Sequence, residues 1–372
     1  MNEATTTLTR ADSLMGNQLT LAVAGSRKTQ GIVERCASLS SERRILVLTY
    51  TQTNQEELRN RLKQYAGDHH NIEVMGWFSF LLTHFVKPFI PFKFPGQRVY
   101  GFNFDGIPSR FAGGKSRFVD SKGAAYACEL GRLAHELVAN SKGALLRRLE
   151  CIYDEILIDE VQDFSAYDWE IFDVLLRSST DIRMVGDIRQ SVLATNLRSK
   201  KNTKYSYANA IAWFRKRERE GLLEIKSSVI TWRCQPRIAA FSDTIFDSSW
   251  EFPPTQSQNN VVTDHDGVYL VSTAHLRAYV DMYKPQCLRH SVSSGKNFDL
   301  DFLNFKVSKG MTYERVLIIP TDPIRKFIKS GAYLEPTSAS SFYVAVTRAK
   351  QSVAIVLDDA GASALPFWQP TS

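Results

Sequence analysis

The feature that most constrains this chain is a strand-like run, Glu155-Ile156-Leu157-Ile158, that passes straight into Asp159-Glu160-Val161-Gln162-Asp163. A run this apolar reads as a strand buried on both faces, as in the parallel sheet of an α/β protein. Carboxylates at its carboxyl end stand where such sheets bind ligands. An Asp-Glu pair there suits hydrolysis of ATP with Mg²⁺. Asp159 would hold the metal through water, and Glu160 would orient and activate the attacking water. The alternative is a solvated acidic turn, and a partner upstream argues against it. Residues 22–29 read Ala-Val-Ala-Gly-Ser-Arg-Lys-Thr between an apolar run and a helical pattern, which has the form of a phosphate loop. Gly25 turns the backbone and Ser26 lies in the loop. Lys28 would reach the β- and γ-phosphates, and Thr29 would ligate Mg²⁺. The N–H groups of the helix start add partial positive charge. Arg27 occupies the place where such loops carry a glycine before the lysine.

Other short apolar runs, at 19–24, 45–49 and 182–185, alternate with helical patterns, and the alternation resumes at 229–231, 267–271, 316–320 and 353–357. Two α/β domains are therefore expected, dividing near a lysine-rich stretch at 199–204. The expected bounds are 1–205 and 206–372. Residues 1–17 read as a loose polar start. The interval 91–122 is rich in Gly, Pro, Phe and Arg, and a small irregular insertion is expected at about 88–150.

Asp159 to Asp163 resembles the D-E-x-Q-D box of the UvrD/Rep-type superfamily 1A DNA helicases, and the resemblance covers nearly the whole chain. Residues 49–62 (TYTQTNQEELRNRL) are similar to that family's T-F-T-N-x-A-A-x-E-M-x-x-R-L stretch. Residues 75–80 (MGWFSF) stand where the family has T-x-H-S-F, and 185–191 (VGDIRQS) resemble G-D-x-x-Q-S. Residues 231–234 (TWRC) resemble N-Y-R-S, and 308–313 (SKGMTY) resemble S-K-G-L-E-F. Residues 343–350 (YVAVTRAK) are close to Y-V-A-x-T-R-A-K, the most specific match of the seven.

The resemblance implies two RecA-like P-loop NTPase domains with ATP in the cleft between them. Gln190 would sense the γ-phosphate. Arg233 and Arg348 would reach across from the second domain, since arginine is always charged and its fork matches phosphate oxygens. Trp232 takes the place of a tyrosine that stacks on adenine, and Gly310 falls in the nucleotide site. Contact with single-stranded DNA would fall to Tyr50, Thr51, Trp77, Phe78 and Lys309. Aromatic faces stack on unpaired bases at roughly 1–3 kcal/mol per base, whatever the sequence. Core packing is the alternative for Phe78 and Phe80.

The chain also departs from the family. No L-N-x-x-Q box precedes the phosphate loop. Leu193 stands near the place of an aromatic, and Thr312 where a glutamate is usual. The interval 233–308 is too short for the large second insertion, so the chain reads as a minimal core. The activity implied is ATP-dependent 3′-to-5′ translocation on single-stranded DNA, with or without unwinding, in repair or in antiviral defence. A DNA-sensing ATPase that regulates a separate nuclease is the alternative; a degenerate ATPase is opposed by the intact Asp159, Glu160, Gln190, Arg233 and Arg348.

The net charge of +7 fits a polyanionic partner. The five cysteines form no C-x-x-C pair, which supports neither a zinc site nor a disulfide framework and points to a reducing cytoplasm. No apolar run has the roughly 18 residues of a membrane span.

Overall fold

The computed structural model describes residues 16–370 apart from Asp68 and Leu197. The polar start expected to be loose lies, but for Gly16 and Asn17, outside the described residues.

Two parallel sheets organise the chain, which is an α/β protein as expected. The first has six strands: β1 (Gln18–Ala22), β2 (Ile45–Thr49), β3 (Ile72–Gly76), β4 (Glu155–Ile158), β5 (Asp181–Gly186) and β6 (Glu224–Ser228). Their order is β3-β2-β4-β5-β1-β6. Every residue of β2 and β4 is buried, as their unbroken apolar runs require. Glu155 opens β4 inside the protein, and its carboxylate is met by Arg35 at 3.1 Å and by Arg43 and Arg183 at 3.2 Å. A buried charge is tolerable only when paired in this way.

The second sheet has β7 (Gly267–Val271), β8 (Gln286–Arg289), β9 (Phe302–Asn304), β10 (Tyr313–Ile319) and β11 (Ala349–Val356), ordered β7-β11-β10-β8-β9. Helix α1 (Lys28–Ser38) links β1 to β2, and α2 (Gln52–Tyr65) links β2 to β3. Thr51 caps α2 by accepting from the Asn54 N–H at 3.2 Å.

The structure corrects two expectations. The first sheet does not end near residue 205. Helix 210–219 buries Trp213 and Phe214 against Trp169, and β6 then pairs with β1 in register, Leu19 opposite Ile225. The chain passes to the second sheet after Ser228. Nor is the whole insertion irregular. Residues 91–122 hold only short elements, but α3 (Ala127–Asn140) and α4 (Ala144–Ile152) follow. Their apolar stripes, Leu130, Leu133, Leu137, Leu145 and Leu149, join the first core. A 3.6-residue period carries these helices. Among the described residues no helix is long and apolar enough to cross a membrane.

Candidate nucleotide site

The phosphate loop leaves β1 and turns into α1. Gly25 has φ +78°, and a Cβ there would come within 2.6 Å of the Arg233 Cβ and 2.8 Å of the Thr231 Oγ1. Only glycine allows this approach between the loop and the strand-like segment at 230–231. The two are joined directly: the Thr231 hydroxyl donates to the Ala24 carbonyl at 2.6 Å, and the Trp232 N–H to the Gly25 carbonyl at 3.0 Å. Arg27 holds a glycine's conformation, with φ +61°, at the N-cap of α1. Its guanidinium lies 4.3 Å from the centre of the ring of Trp232, an exposed residue. Two of the residues that depart from the family pattern thus pack on each other.

Lys28 and Thr29 face the acidic box. Lys28 Nζ is 3.0 Å from Glu160 Oε1, and the Thr29 hydroxyl donates to Asp159 at 3.3 Å. Glu160 sits in the left-handed region, φ +56°, immediately after β4, which turns its side chain toward Lys28. Gln162 also donates to Glu160. Burial alone would lower the Lys28 pKa, but Glu160 and Asp159 more than offset that and raise it. Burial, and then the charge of Glu160, push Asp159 up, whereas Lys28 holds Glu160 down against its own burial.

The second sheet supplies the opposite wall. Arg348 follows α5 (Pro336–Val346) and is buried. It donates to Gln190 Oε1 at 3.0 Å, to the Val344 carbonyl at 3.0 Å and to the Met311 carbonyl at 3.2 Å. Burial and the like charge of Arg233 push its pKa down to about 9. Arg233 donates to the Thr347 carbonyl at 3.1 Å. Lys28, Thr51, Glu160, Gln190, Arg233, Gly310 and Arg348 share a cavity of about 490 Å³ between these walls. A second hollow, about 540 Å³, opens beside it over Gly25, Ser26, Lys28 and Thr29.

A family comparison is decisive here. A family described as an AAA domain (AAA_19) matches residues 9–196, just over half of the 372 residues.

The chain belongs to the AAA_19 family.

No curated protein matches this AAA domain protein. Among solved structures it resembles the crystal structure of Arterivirus nonstructural protein 10 (helicase), at 14% identity and a TM-score of 0.46, over 93% of this chain and 61% of that one. The structure of that helicase with DNA matches at 14% identity and a TM-score of 0.46, over 93% and 62%. The chain therefore spans about three-fifths of the length of those chains.

The fit of the AAA domain site to a phosphate and a metal can be tested on its own atoms. Ser26 Oγ is buried without a hydrogen-bond partner, a donor left for an oxygen. Among the described residues, Arg233 and Arg348 find only neutral acceptors. Asp159 is crowded by Glu160, a strain that a dication would relieve. Among the described residues no cluster of three His, Cys, Asp or Glu side chains gathers to hold a metal alone. Mg²⁺ would share Thr29 and Asp159 with phosphate oxygens, its usual mode.

The residues expected on DNA fare differently. Trp77 is a correction: it is fully buried, with its indole N–H donating to Asp168 at 2.7 Å and its ring edge-on to Phe164 and Phe172. A buried indole keeps its place once its N–H is satisfied, so this side chain offers no face to a base. Phe80 is buried as well. Phe78 is half-buried between Tyr50, ring centres 6.1 Å apart, and the exposed Phe104, 5.7 Å away. Lys309 is engaged: its ammonium donates to both Asp163 oxygens, at 2.6 and 2.8 Å.

Sequence reading missed the residues that tie the walls together. The Tyr343 hydroxyl donates to Asp187 at 3.2 Å and accepts from the Ala24 N–H at 3.3 Å, bridging the second sheet to the phosphate loop. Asp187 also accepts from Gln190 at 2.7 Å. Arg189 lies 4.6 Å from the Tyr343 ring centre and pairs with Asp243 at 2.8 Å. All of these but Asp243 stand inside the quoted motifs, yet nothing in their spacing shows that they meet.

Proposed function

We propose that this AAA domain protein hydrolyses ATP and uses closure of the cleft to move on single-stranded DNA, as a 3′-to-5′ translocase or helicase of the UvrD/Rep type. One observation carries the reading. Lys28 and Thr29 from one loop meet Asp159 and Glu160 from another, while Gln190, Arg233 and Arg348 reach the same cavity.

Each residue has a physical task. Lys28 and the N–H groups opening α1 would bind the phosphates. Glu160, kept ionised by Lys28, would hold the attacking water and accept its proton once phosphate draws Lys28 away. Arg233 and Arg348 would meet the charge that develops on the transferring phosphoryl group. Gln190 already bridges Arg348 and Asp187, so it would report the γ-phosphate to both walls. Bound at Thr29 and Asp159, Mg²⁺ would supply charge neutralisation for the phosphate oxygens.

Tyr50, Phe78 and Phe104 form the aromatic cluster best placed to stack on unpaired bases. A strand-displacement assay with 3′- and 5′-tailed duplexes tests this reading. ATP-dependent displacement from the 3′ tail alone is expected; displacement from the 5′ tail would overturn the polarity.

The alternative, a DNA-sensing ATPase that gates a separate nuclease in the cytoplasm, draws support from the Arg27–Trp232 stack. It covers the base platform until Arg27 moves. Hydrolysis without displacement from either tail would favour it.

A further inference from the structure

The structure holds a second strongly cationic cavity that the ATP cycle does not use. It lies between the insertion and the segment that follows Gln190, and its volume is about 580 Å³. Six cations line it, Arg110, Arg117, Arg132, Arg198, Lys200 and Lys201, against one carboxylate, Glu129. Three of the six have carboxylate partners, and the remaining cationic excess is stabilised by a polyanion.

The cavity is built rather than incidental. Arg117 is set by Glu129 at 2.6 Å, Arg132 by Glu136 at 2.9 Å and Lys201 by Glu170 at 3.0 Å. These carboxylates hold three of the heads in fixed places. Among the described residues, Arg110, Arg198 and Lys200 form no ion pair. The two halves of the wall are joined where Asn196 Nδ2 donates to the Cys128 carbonyl at 2.6 Å. Asn196 Oδ1 in turn accepts from the N–H groups of Arg198 and Ser199, at 3.0 and 3.1 Å, which fixes the backbone that carries the free cations. Tyr167 offers an aromatic side to the same space.

We infer that this cavity binds a compact ligand carrying several phosphate groups, in the class of nucleoside polyphosphates, at a place separate from the ATP cleft. The volume falls in the range of nucleotide-sized pockets, about 300–1,000 Å³. Arginine forks and lysine heads converging on one space match clustered phosphate oxygens. A passing single strand calls instead for a track with successive aromatic platforms. The exposed rings nearest in sequence, Phe104 and Phe111, are not part of this lining.

Occupancy has a route to the cleft. The wall segment starts at Gln190, and Thr195 within it donates its N–H to the Asp163 carbonyl at 2.9 Å. Asp163 closes the acidic box and holds Lys309. A ligand held by Arg198 and Lys200 therefore bears on both sides of the cleft. This regulatory step rests on the ATPase reading above; the binding site does not.

The test is calorimetric titration of the full chain with inorganic tripolyphosphate. Two classes of site are expected. Lys28→Ala should remove one. Arg198→Glu with Lys200→Glu should weaken the other by about tenfold or more, because two cations facing phosphate oxygens become carboxylates. That double variant should keep ATP affinity in the cleft, which also shows that it folds. Arg198→Ala with Lys200→Ala should give a smaller loss in the same class. A single class, removed wholly by Lys28→Ala, overturns the inference. So does a charge reversal that leaves tripolyphosphate binding intact and weakens a single-stranded oligonucleotide instead. If Lys28→Ala removes neither class, the reading of the cleft fails and the second site stands.

Discussion

The two walls of the cleft balance their charges in opposite ways. On the first-sheet side, Lys28 pairs with Glu160 and Thr29 with Asp159, so the wall is internally compensated. Its residual cost lies in Asp159, a buried carboxylate beside another. On the second-sheet side, among the described residues, Arg233 and Arg348 donate to neutral groups alone: carbonyl oxygens, the Gln190 amide and the Thr347 hydroxyl. The first wall can wait empty, whereas the second is complete only with an anion between the two. The proposal that closure depends on ligand rests on that difference.

The most severe break is expected from Arg348→Ala. If Arg348 meets the transition-state charge as proposed, its removal should lower kcat by about 10³-fold or more. Nucleotide affinity should change far less. A steady-state assay beside equilibrium binding separates the two, and turnover within tenfold of the parent would remove Arg348 from the phosphoryl site.

Trp77→Ala tests the corrected residue. Emptying that site should cost about 3–5 kcal/mol of stability by urea unfolding. Affinity of the folded variant for a single-stranded oligonucleotide should stay as it was, whereas Tyr50→Ala should weaken it. A Trp77 variant that folds normally and loses DNA would restore the stacking role.

Asp159→Asn sharpens the contrast between the walls. Its carboxyl pKa is raised in the empty fold, so the ionised form costs stability above the ordinary carboxylate range. The neutral amide should raise the ligand-free Tm at neutral pH and abolish the effect of Mg²⁺ on ATP affinity. An unchanged or lower Tm would mean that Asp159 is not strained.

The smallest effect is expected at Arg27. A cation over an exposed ring is worth about 0.5–1 kcal/mol. Arg27→Gly should remove the stack and the left-handed strain together, tightening nucleotide binding by a few fold. Weaker binding would instead make Arg27 a phosphate ligand.

These contrasts mark what the sequence could and could not disclose. Charged residues at the ends of apolar strands were legible, because a buried strand leaves few reasons for a carboxylate there other than a ligand. Strands β4 and β5 stood out for that reason, and β2 by its unbroken apolar run. Strand β6, Glu-Ile-Lys-Ser-Ser, did not, since an exposed edge strand needs no apolar run. Its absence moved the expected division to 205. Trp77 was ambiguous in principle, because a large ring serves a core as well as it serves a base. The Asp163–Lys309, Asp187–Tyr343 and Arg27–Trp232 pairs join residues far apart in the chain, and no local pattern reports them.

The central claim is that this cleft hydrolyses ATP and that single-stranded DNA drives it. The direct measurement is ATP turnover by the purified chain, with and without single-stranded DNA, beside Glu160→Gln. The account predicts strong stimulation by DNA, and a variant that binds ATP but does not turn it over. Turnover that ignores DNA and survives Glu160→Gln would contradict it.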